Sequence, residues 1–310
     1  MRYFYIIIFS LICLNLQGCF SEVESTPKIS YKHINTEESN QPESIISHIL
    51  NQPFCEWKEG KEFIVTDNKI SHILFSKTKA DSFLGSSIYF VKYKTITSIT
   101  GNKSTELVFL SQDGDSLFYH INTDPIDLKN LDNLEIPFTI QKSLVDEVKK
   151  CLVNKRLYII TPNRYDSLDN LITSRKFVPI IIKDVVPGNS IYPIKLIFND
   201  NGQLYYLYMT VGNQIQATRN FEKLFSITNP HDKYPHISKN HWDKISNNTI
   251  VVGMTSEECQ LSLGSPSVVT NITDTDIPTK TWEYEDGSIL HFENGILIKT
   301  NKNNRWNLNF

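Results

Sequence analysis

Charge of one sign, cysteine pairs and catalytic signatures are what this 310-residue chain has little of. Its 31 lysines and arginines nearly balance 34 acids, so it carries no electrostatic footprint for nucleic acid, and no such partner is expected. Five cysteines do not make a disulfide framework. The motifs G-x-S-x-G, H-E-x-x-H and C-x-x-C are absent, as is S-x-x-K with its accompanying motifs, which removes the signposts of the common hydrolases, metalloproteases and redox enzymes. Most glycines lie beside Asn or Asp and leave no glycine-rich loop to cradle phosphate. No cofactor, no metal and no enzymatic reaction is therefore expected.

What is present begins at the amino terminus. One basic residue, Arg2, precedes an almost wholly apolar stretch from Tyr3 to Leu16, and no acid occurs before Cys19. This is the layout of a secretory signal peptide over residues 1–18. A spanning helix needs about 20 apolar residues, and Asn15 and Gln17 interrupt this one. The sequence Leu16-Gln17-Gly18-Cys19 resembles the lipobox of bacterial lipoproteins, with Gln17 standing where a small residue is usual. That resemblance implies cleavage before Cys19, a diacylglyceryl group on its thiol and an acylated new amino terminus. Several acyl chains hold a protein on a bilayer durably where one does so marginally. The implied partner is thus a membrane, reached through a lipid anchor. Phe20, in place of an aspartate, is compatible with onward transport to the outer membrane. Residues 19–41 are polar, bury too little to order themselves and read as a flexible tether. A short helix is predicted in "PESIISHILNQ", with Ile45, Ile46, Ile49 and Leu50 at helical spacing.

Downstream, seven glycines touch an Asn or Asp, among them Gly101-Asn102, Asp113-Gly114, Gly188-Asn189, Asn201-Gly202 and Asn294-Gly295. Between apolar runs such as "TELVFLSQDGDSLFYHI" and "IKLIFNDNGQLYYLYMT", these dipeptides predict hairpin turns. The chain therefore reads as mainly β with minor α, an α+β protein. The markers also repeat. "KEFIVT" from Lys61, Phe90-Val91, Gly101 and Gly114 are answered by "KRLYIIT" from Lys155, Phe177-Val178, Gly188 and Gly202, which suggests two tandem copies of one small SH3-like β module. Expected boundaries are 42–122 for the first module with its short helix, 123–150 for a linker and connecting helix capped by Ser143, and 151–225 for the second.

Residues 226–310 form the last unit. In "VVGMTSEECQLSLGSPSVV", Thr255 and Glu258 make a capping box, Cys259 and Leu263 share a buried face, and Gly264 and Pro266 stop the helix. A polar loop then precedes a three-stranded meander over Trp282–Tyr284, Ile289–Phe292 and Ile296–Ile298. The segments "VGMTSEECQLSLGSP" and "TWEYEDGSILHFENGILI" resemble the SmpA/OmlA (BamE-like) family of outer-membrane lipoproteins in helix and antiparallel-sheet pattern, over about 60 residues. "KRLYIIT" and "KFVPIIIKDVVPGNSIYPIKLIF" resemble uncharacterised envelope lipoproteins. Neither resemblance carries a catalytic or binding residue.

Three groups of residues could carry chemistry. His231, His236 and His241 recur every five residues beside Asp232, a spacing that matches neither a helical face nor alternate strand positions, and Pro230 and Pro235 make the stretch a loop. Cys55 and Cys151 each precede the first strand of a repeat and are candidates for one disulfide, though sequence does not set their separation. Cys259 reads as a buried small apolar residue. Tyr192, Tyr205, Tyr206 and Tyr208 surround one hairpin. Alternation puts Tyr206 and Tyr208 on one face, either as a groove for a peptide or glycan or as sheet-stabilising pairs.

The expected function is that of a lipid-anchored envelope protein that binds or scaffolds envelope proteins or glycans. An envelope hydrolase with an unsignposted site is the alternative. Cys19→Ala should leave the chain uncleaved at that site and unlabelled when cells are fed radioactive palmitate; equal incorporation by the variant refutes the anchor.

Overall fold

The structure, a computed structural model, describes residues 45–76, 82–212, 219–272 and 277–301. Cys19 and the segments expected to be signal peptide and tether lie outside them. The described chain is mostly β with a smaller helical part, arranged as three antiparallel sheets. No helix among the described residues is long and apolar enough to cross a membrane.

The first sheet contains β1 (Glu62–Val65), β2 (Leu74–Ser76), β3 (Ser87–Thr97), β4 (Lys103–Ser111), β5 (Ser116–Ile121) and β6 (Thr139–Gln141), in the order β2-β5-β4-β3-β1-β6. A short helix, α1 (Pro125–Lys129), precedes β6, with Asp124 as its N-cap and Pro125 in its first turn. Helix α2 (Lys142–Leu152) follows β6 without a gap. The second sheet contains β7 (Arg156–Ile159), β8 (Asn163–Tyr165), β9 (Leu171–Thr173), β10 (Val178–Pro187), β11 (Ile194–Asp200), β12 (Gln203–Met209) and β13 (Phe225–Ser226), with α3 (Phe221–Leu224) before β13. Its order is β13-β7-β10-β11-β12-β8-β9. Both orders are linear, with two edge strands each.

Read from opposite ends, the two orders are the same, β9 being the one addition. The agreement extends to single hydrogen bonds: Gly60 N donates to Phe90 O at 2.8 Å and Phe90 N to Lys61 O at 2.8 Å, while Asn154 N donates to Ile182 O at 2.9 Å and Ile182 N to Lys155 O at 3.1 Å. Each long strand is then bulged immediately afterwards, between Phe90 and Lys92 and between Ile182 and Asp184. Lys61 thus corresponds to Lys155, and the Asp113-Gly114 and Asn201-Gly202 turns occupy equivalent hairpins. The pairing of Phe90-Val91 with Phe177-Val178 does not hold: Phe90 answers to Ile182, because Phe177 lies ahead of β10 rather than in its middle. Gly188 is required for close approach and not for a positive φ. A Cβ there would meet the Tyr192 carbonyl oxygen at 2.0 Å.

Residues 123–150 are not a linker. Strand β6 pairs with β1, and the next residue begins α2, whose Leu144, Val145, Val148 and Leu152 pack in the core of the second sheet with Ile180, Leu196 and Phe198. Burying four such side chains contributes about 1.5–3 kcal/mol each. The N-cap of α2 is Gln141 and not Ser143, and it makes no side-chain cap. Residues 45–48 form turns rather than a regular helix. Ile46 and Ile49 are buried in the second core, not the first, while Leu50 is exposed.

The last unit contains α4 (Pro230–Lys233), α5 (Lys239–Ser246), α6 (Ser256–Leu263) and a sheet of β14 (Val268–Ile272), β15 (Thr279–Glu283), β16 (Ile289–Glu293) and β17 (Ile296–Asn301) in sequential order. The capping box of α6 is present: Glu258 N donates to Thr255 Oγ1 at 3.1 Å, and Thr255 N to Glu258 Oε2 at 2.7 Å. The histidine stretch is helical at its two ends, where Asn229 and Ser238 cap α4 and α5, and non-helical between them, where Pro235 and His236 lie. The sheet has four strands and not three, since the expected polar loop supplies β14, paired with β15.

Asn294 and Gly295 both have positive φ, 49° and 77°, as a type I′ turn requires. Gly295→Val, placed where no neighbour lies within 4 Å, should strain the turn alone, by about 1–3 kcal/mol. Faster hydrogen exchange confined to residues 250–301 is the expected result; unchanged exchange there contradicts it.

Candidate functional site

The Asn201-Gly202 turn sets the register of the β11–β12 hairpin, and that register sorts its side chains into two faces. Leu196, Phe198, Leu207 and Met209 enter the core. Lys195, opposite Tyr208, and Ile197, opposite Tyr206, take the other face. Strand β8 adds Tyr165 directly across from Tyr206. The two rings lie parallel, with centroids 5.1 Å apart and planes at 8°. Tyr208 meets both edge-on, at 5.7 and 5.5 Å.

Two cations flank this stack. Lys195 Nζ lies 3.6 Å from the Tyr206 ring centre, and Arg219 Cζ lies 5.8 Å from Tyr165 and 5.3 Å from Tyr192. Thr210 N and Oγ1 donate to the Arg219 carbonyl, at 2.9 and 3.2 Å, and hold that residue at the end of β12. Tyr206 is buried; Tyr165, Tyr192, Lys195, Tyr208 and Arg219 are half-buried. Neither cation has an ion-pair partner among the described residues. The Tyr206 hydroxyl donates to Asp169 Oδ1. Burial, together with that carboxylate, raises the Tyr206 pKa, and burial raises that of Tyr208. Both phenols stay neutral donors at physiological pH.

Two local devices hold the tyrosines and Asp169 in place. Arg164, the residue before Tyr165, points into the protein and is fully buried. It pairs with Asp200 Oδ2 at 2.6 Å, donates to the Arg175 carbonyl and lies 5.3 Å from the Tyr205 ring, so β8 is pinned to the β11–β12 hairpin. In the turn from β8 to β9, Asp166 Oδ1 accepts from Leu168 N and Asn170 N, both at 2.9 Å. That turn presents Asp169 at φ 65°.

Alternation alone therefore identified Tyr206 and Tyr208, while Lys195, opposite Tyr208, emerged only from the strand register. Tyr205 lies on the opposite, core-facing side, its hydroxyl donating to Gln203 Oε1 at 2.5 Å. Tyr165, Asp169 and Arg219 were missed, because β8 joins this sheet beside a strand about 40 residues further on. The three histidines do not converge. His231 stacks on Trp242 with centroids 4.0 Å apart and burial lowers its pKa, His236 meets Glu257 at 3.0 Å, and His241 Nδ1 meets Glu258 at 2.8 Å. Among the described residues no group of His, Cys, Asp or Glu is arranged to hold a metal. Cys55, Cys151 and Cys259 are all free thiols, respectively exposed, half-buried and buried. Burial pushes the Cys259 thiol up to about 12.

The chain matches no known protein family, no curated protein and no solved structure. The likeness of residues 252–298 to the SmpA/OmlA family rests on its motif residues alone.

Hydrogen bonds from Asn170, and then from Leu168, hold the Asp166 carboxyl below its ordinary value of 3.8. The turn is accordingly stabilised above that value, and the stabilisation is lost as pH falls through the lower folded value. The amide resonances of Leu168 and Asn170 should titrate with a midpoint below 3.8; a midpoint at or above it refutes the role of this carboxylate.

Proposed function

We propose that this chain is a lipid-anchored cell-envelope protein, held through Cys19 at the bacterial outer membrane, that binds an anionic glycan on the tyrosine face of its second sheet and performs no catalysis there. In this reading the two β units are copies of one small SH3-like module and the C-terminal unit is a BamE-like support. The lipobox residues Leu16-Gln17-Gly18-Cys19 support the address. A barrel-assembly role is not carried over with the family likeness.

One observation carries the choice of ligand: Lys195 and Arg219 lie against a stack of tyrosines, and among the described residues neither forms an ion pair. Aromatic faces are negative at their centres and suit the C–H faces of sugar rings. Phenol hydroxyls and the Asp169 carboxylate supply hydrogen-bonding groups for sugar hydroxyls, and two half-buried cations supply attraction for carboxylates or phosphates. A protein-docking surface would be centred on large exposed apolar side chains, whereas four of the half-buried or buried rings here are tyrosines.

Calorimetry of the full chain in detergent micelles, with oligogalacturonate as the anionic probe and maltohexaose as the neutral one, tests this. Binding of the uronate oligomer that weakens with salt is expected, with little for the neutral sugar. Lys195→Ala and Arg219→Ala should each weaken it about three- to tenfold, as removal of one cation–π-seated charge does. Equal binding of both sugars, or no effect of either substitution, overturns the assignment.

A further inference from the structure

A cleft lies away from the tyrosine face, where the first β unit meets the amino end of α2. Its volume is about 610 Å³, and its walls include Gln52, Gly60, Lys61 and Ser143. Lys61 is the corresponding residue to Lys155 of the second unit, but only Lys61 is enclosed. Its Nζ lies 5.9 Å from the Trp57 ring and 5.6 Å from the Phe63 ring, and it donates to Gln52 Oε1 at 2.5 Å and, in its charged form, to Ser143 Oγ at 3.4 Å. Both polar contacts are uncharged.

Hydrogen bonds tie the surrounding scaffold together. Buried Gln141 accepts from Gln52 N at 2.9 Å and donates to Gln52 O at 3.2 Å, and Trp57 Nε1 donates to the same oxygen at 2.9 Å. Burial lowers the Lys61 pKa to about 8, against the opposing pull of Glu147 and Glu56. Other charges around the cleft are Lys58 and Glu59 on the loop, Glu62 on β1, and the Lys142–Asp146 pair on α2, closed at 2.6 Å. Glu62 is occupied by the Ser87 hydroxyl, which donates to it at 2.6 Å.

We propose that Ser143 and Lys61 form a nucleophile and base for acyl transfer from small polar esters. A neutral lysine has two N–H donors and one lone pair. Gln52 Oε1 takes one donor, which leaves the lone pair free to accept the Ser143 hydroxyl proton. Ser143 Oγ then bonds to the ester carbonyl carbon while its proton passes to Lys61 Nζ. The ester C–O bond breaks, and the departing alkoxide takes that proton. Water, deprotonated in turn by Lys61, attacks the acyl-serine, and its collapse releases the carboxylic acid and restores the hydroxyl. The Gln141 side chain does not cap α2, so amides of its first turn can receive the carbonyl oxygen as it becomes negative. This pair would have escaped any motif search, since 82 residues separate its members.

The full chain, treated with an alkyl fluorophosphonate reporter and digested with trypsin, should carry the reporter on the Ser143–Lys149 peptide, and Ser143→Ala should carry none there. The labelling rate in the native chain should rise with pH through about 8. Lys61→Met should slow it about a hundredfold or more and abolish that pH dependence. Lys61→Arg keeps a cation over the two rings but cannot act as base, so it should lose labelling while retaining the native circular dichroism. An unlabelled Ser143 in the native chain, or labelling in a folded Lys61 variant at the native rate and with the native pH profile, overturns the proposal. Glycan binding at the tyrosine face is indifferent to either outcome.

Discussion

The rest of the structure depends on a helix of the second core that begins, without a joint, at the end of a strand of the first sheet. Strand β6 closes the edge of the first sheet, and α2 starts at the following residue with its apolar face committed to the second. Ile140, within β6, already packs in the second core. A free linker is excluded by that continuity: displacing α2 would expose Leu144, Val145, Val148 and Leu152 and would also pull β6 from β1. Gln141, buried at the junction, satisfies its amide on the backbone of Gln52, so the polar group costs little to bury. The same fusion brings Ser143 beside Lys61.

The C-terminal unit is secured to the second sheet by a comparable device. The segment between β9 and β10 enters it, with Lys176 Nζ donating to the Ser262 carbonyl at 2.6 Å, Lys176 N to the Ser246 carbonyl at 3.0 Å, and Phe177 edge-on to Trp242 at 5.7 Å. Burial lowers the Lys176 pKa to about 8. With a folded value below its ordinary 10.5, the unfolded chain holds that proton more tightly than the folded one. Lys176 therefore favours the folded state increasingly as pH rises from about 8 to 10.5.

The two β units share a framework and differ where they face outward. Phe75 opposite Phe118 in the first corresponds to Tyr165 opposite Tyr206 in the second, and Glu106 opposite His120 corresponds to Lys195 opposite Tyr208. One scaffold thus carries an apolar pair with Lys94 and Glu106 joined at 3.5 Å, and a phenolic stack with two cations that form no ion pair among the described residues. Inward positions differ less, Phe109 and Phe198 both remaining phenylalanine, because a close-packed interior limits changes in volume far more than an outer face does.

Much of the local structure was legible in the residues. Asn201-Gly202 and Asn294-Gly295 specify their hairpins because both residues tolerate positive φ, and Thr255 with Glu258 specifies a helix start because each satisfies the other's backbone donor. These are contacts within a few residues, whose energies the local chain decides. The histidine helices were misread because Pro230 and Pro235 were weighed above the caps Asn229 and Ser238. The repeated strand order was legible only coarsely, since a bulge such as that after Phe90 shifts the spacing on which a marker count relies. The sequence by itself determined most of the strands, most turns and the capping box. Only the tertiary structure decided that α2 serves the second core, that Tyr165 stacks on Tyr206, and that Lys61 reaches Ser143. Those pairings join residues tens of positions apart, and burial of shared apolar surface selects them where local propensity has no preference.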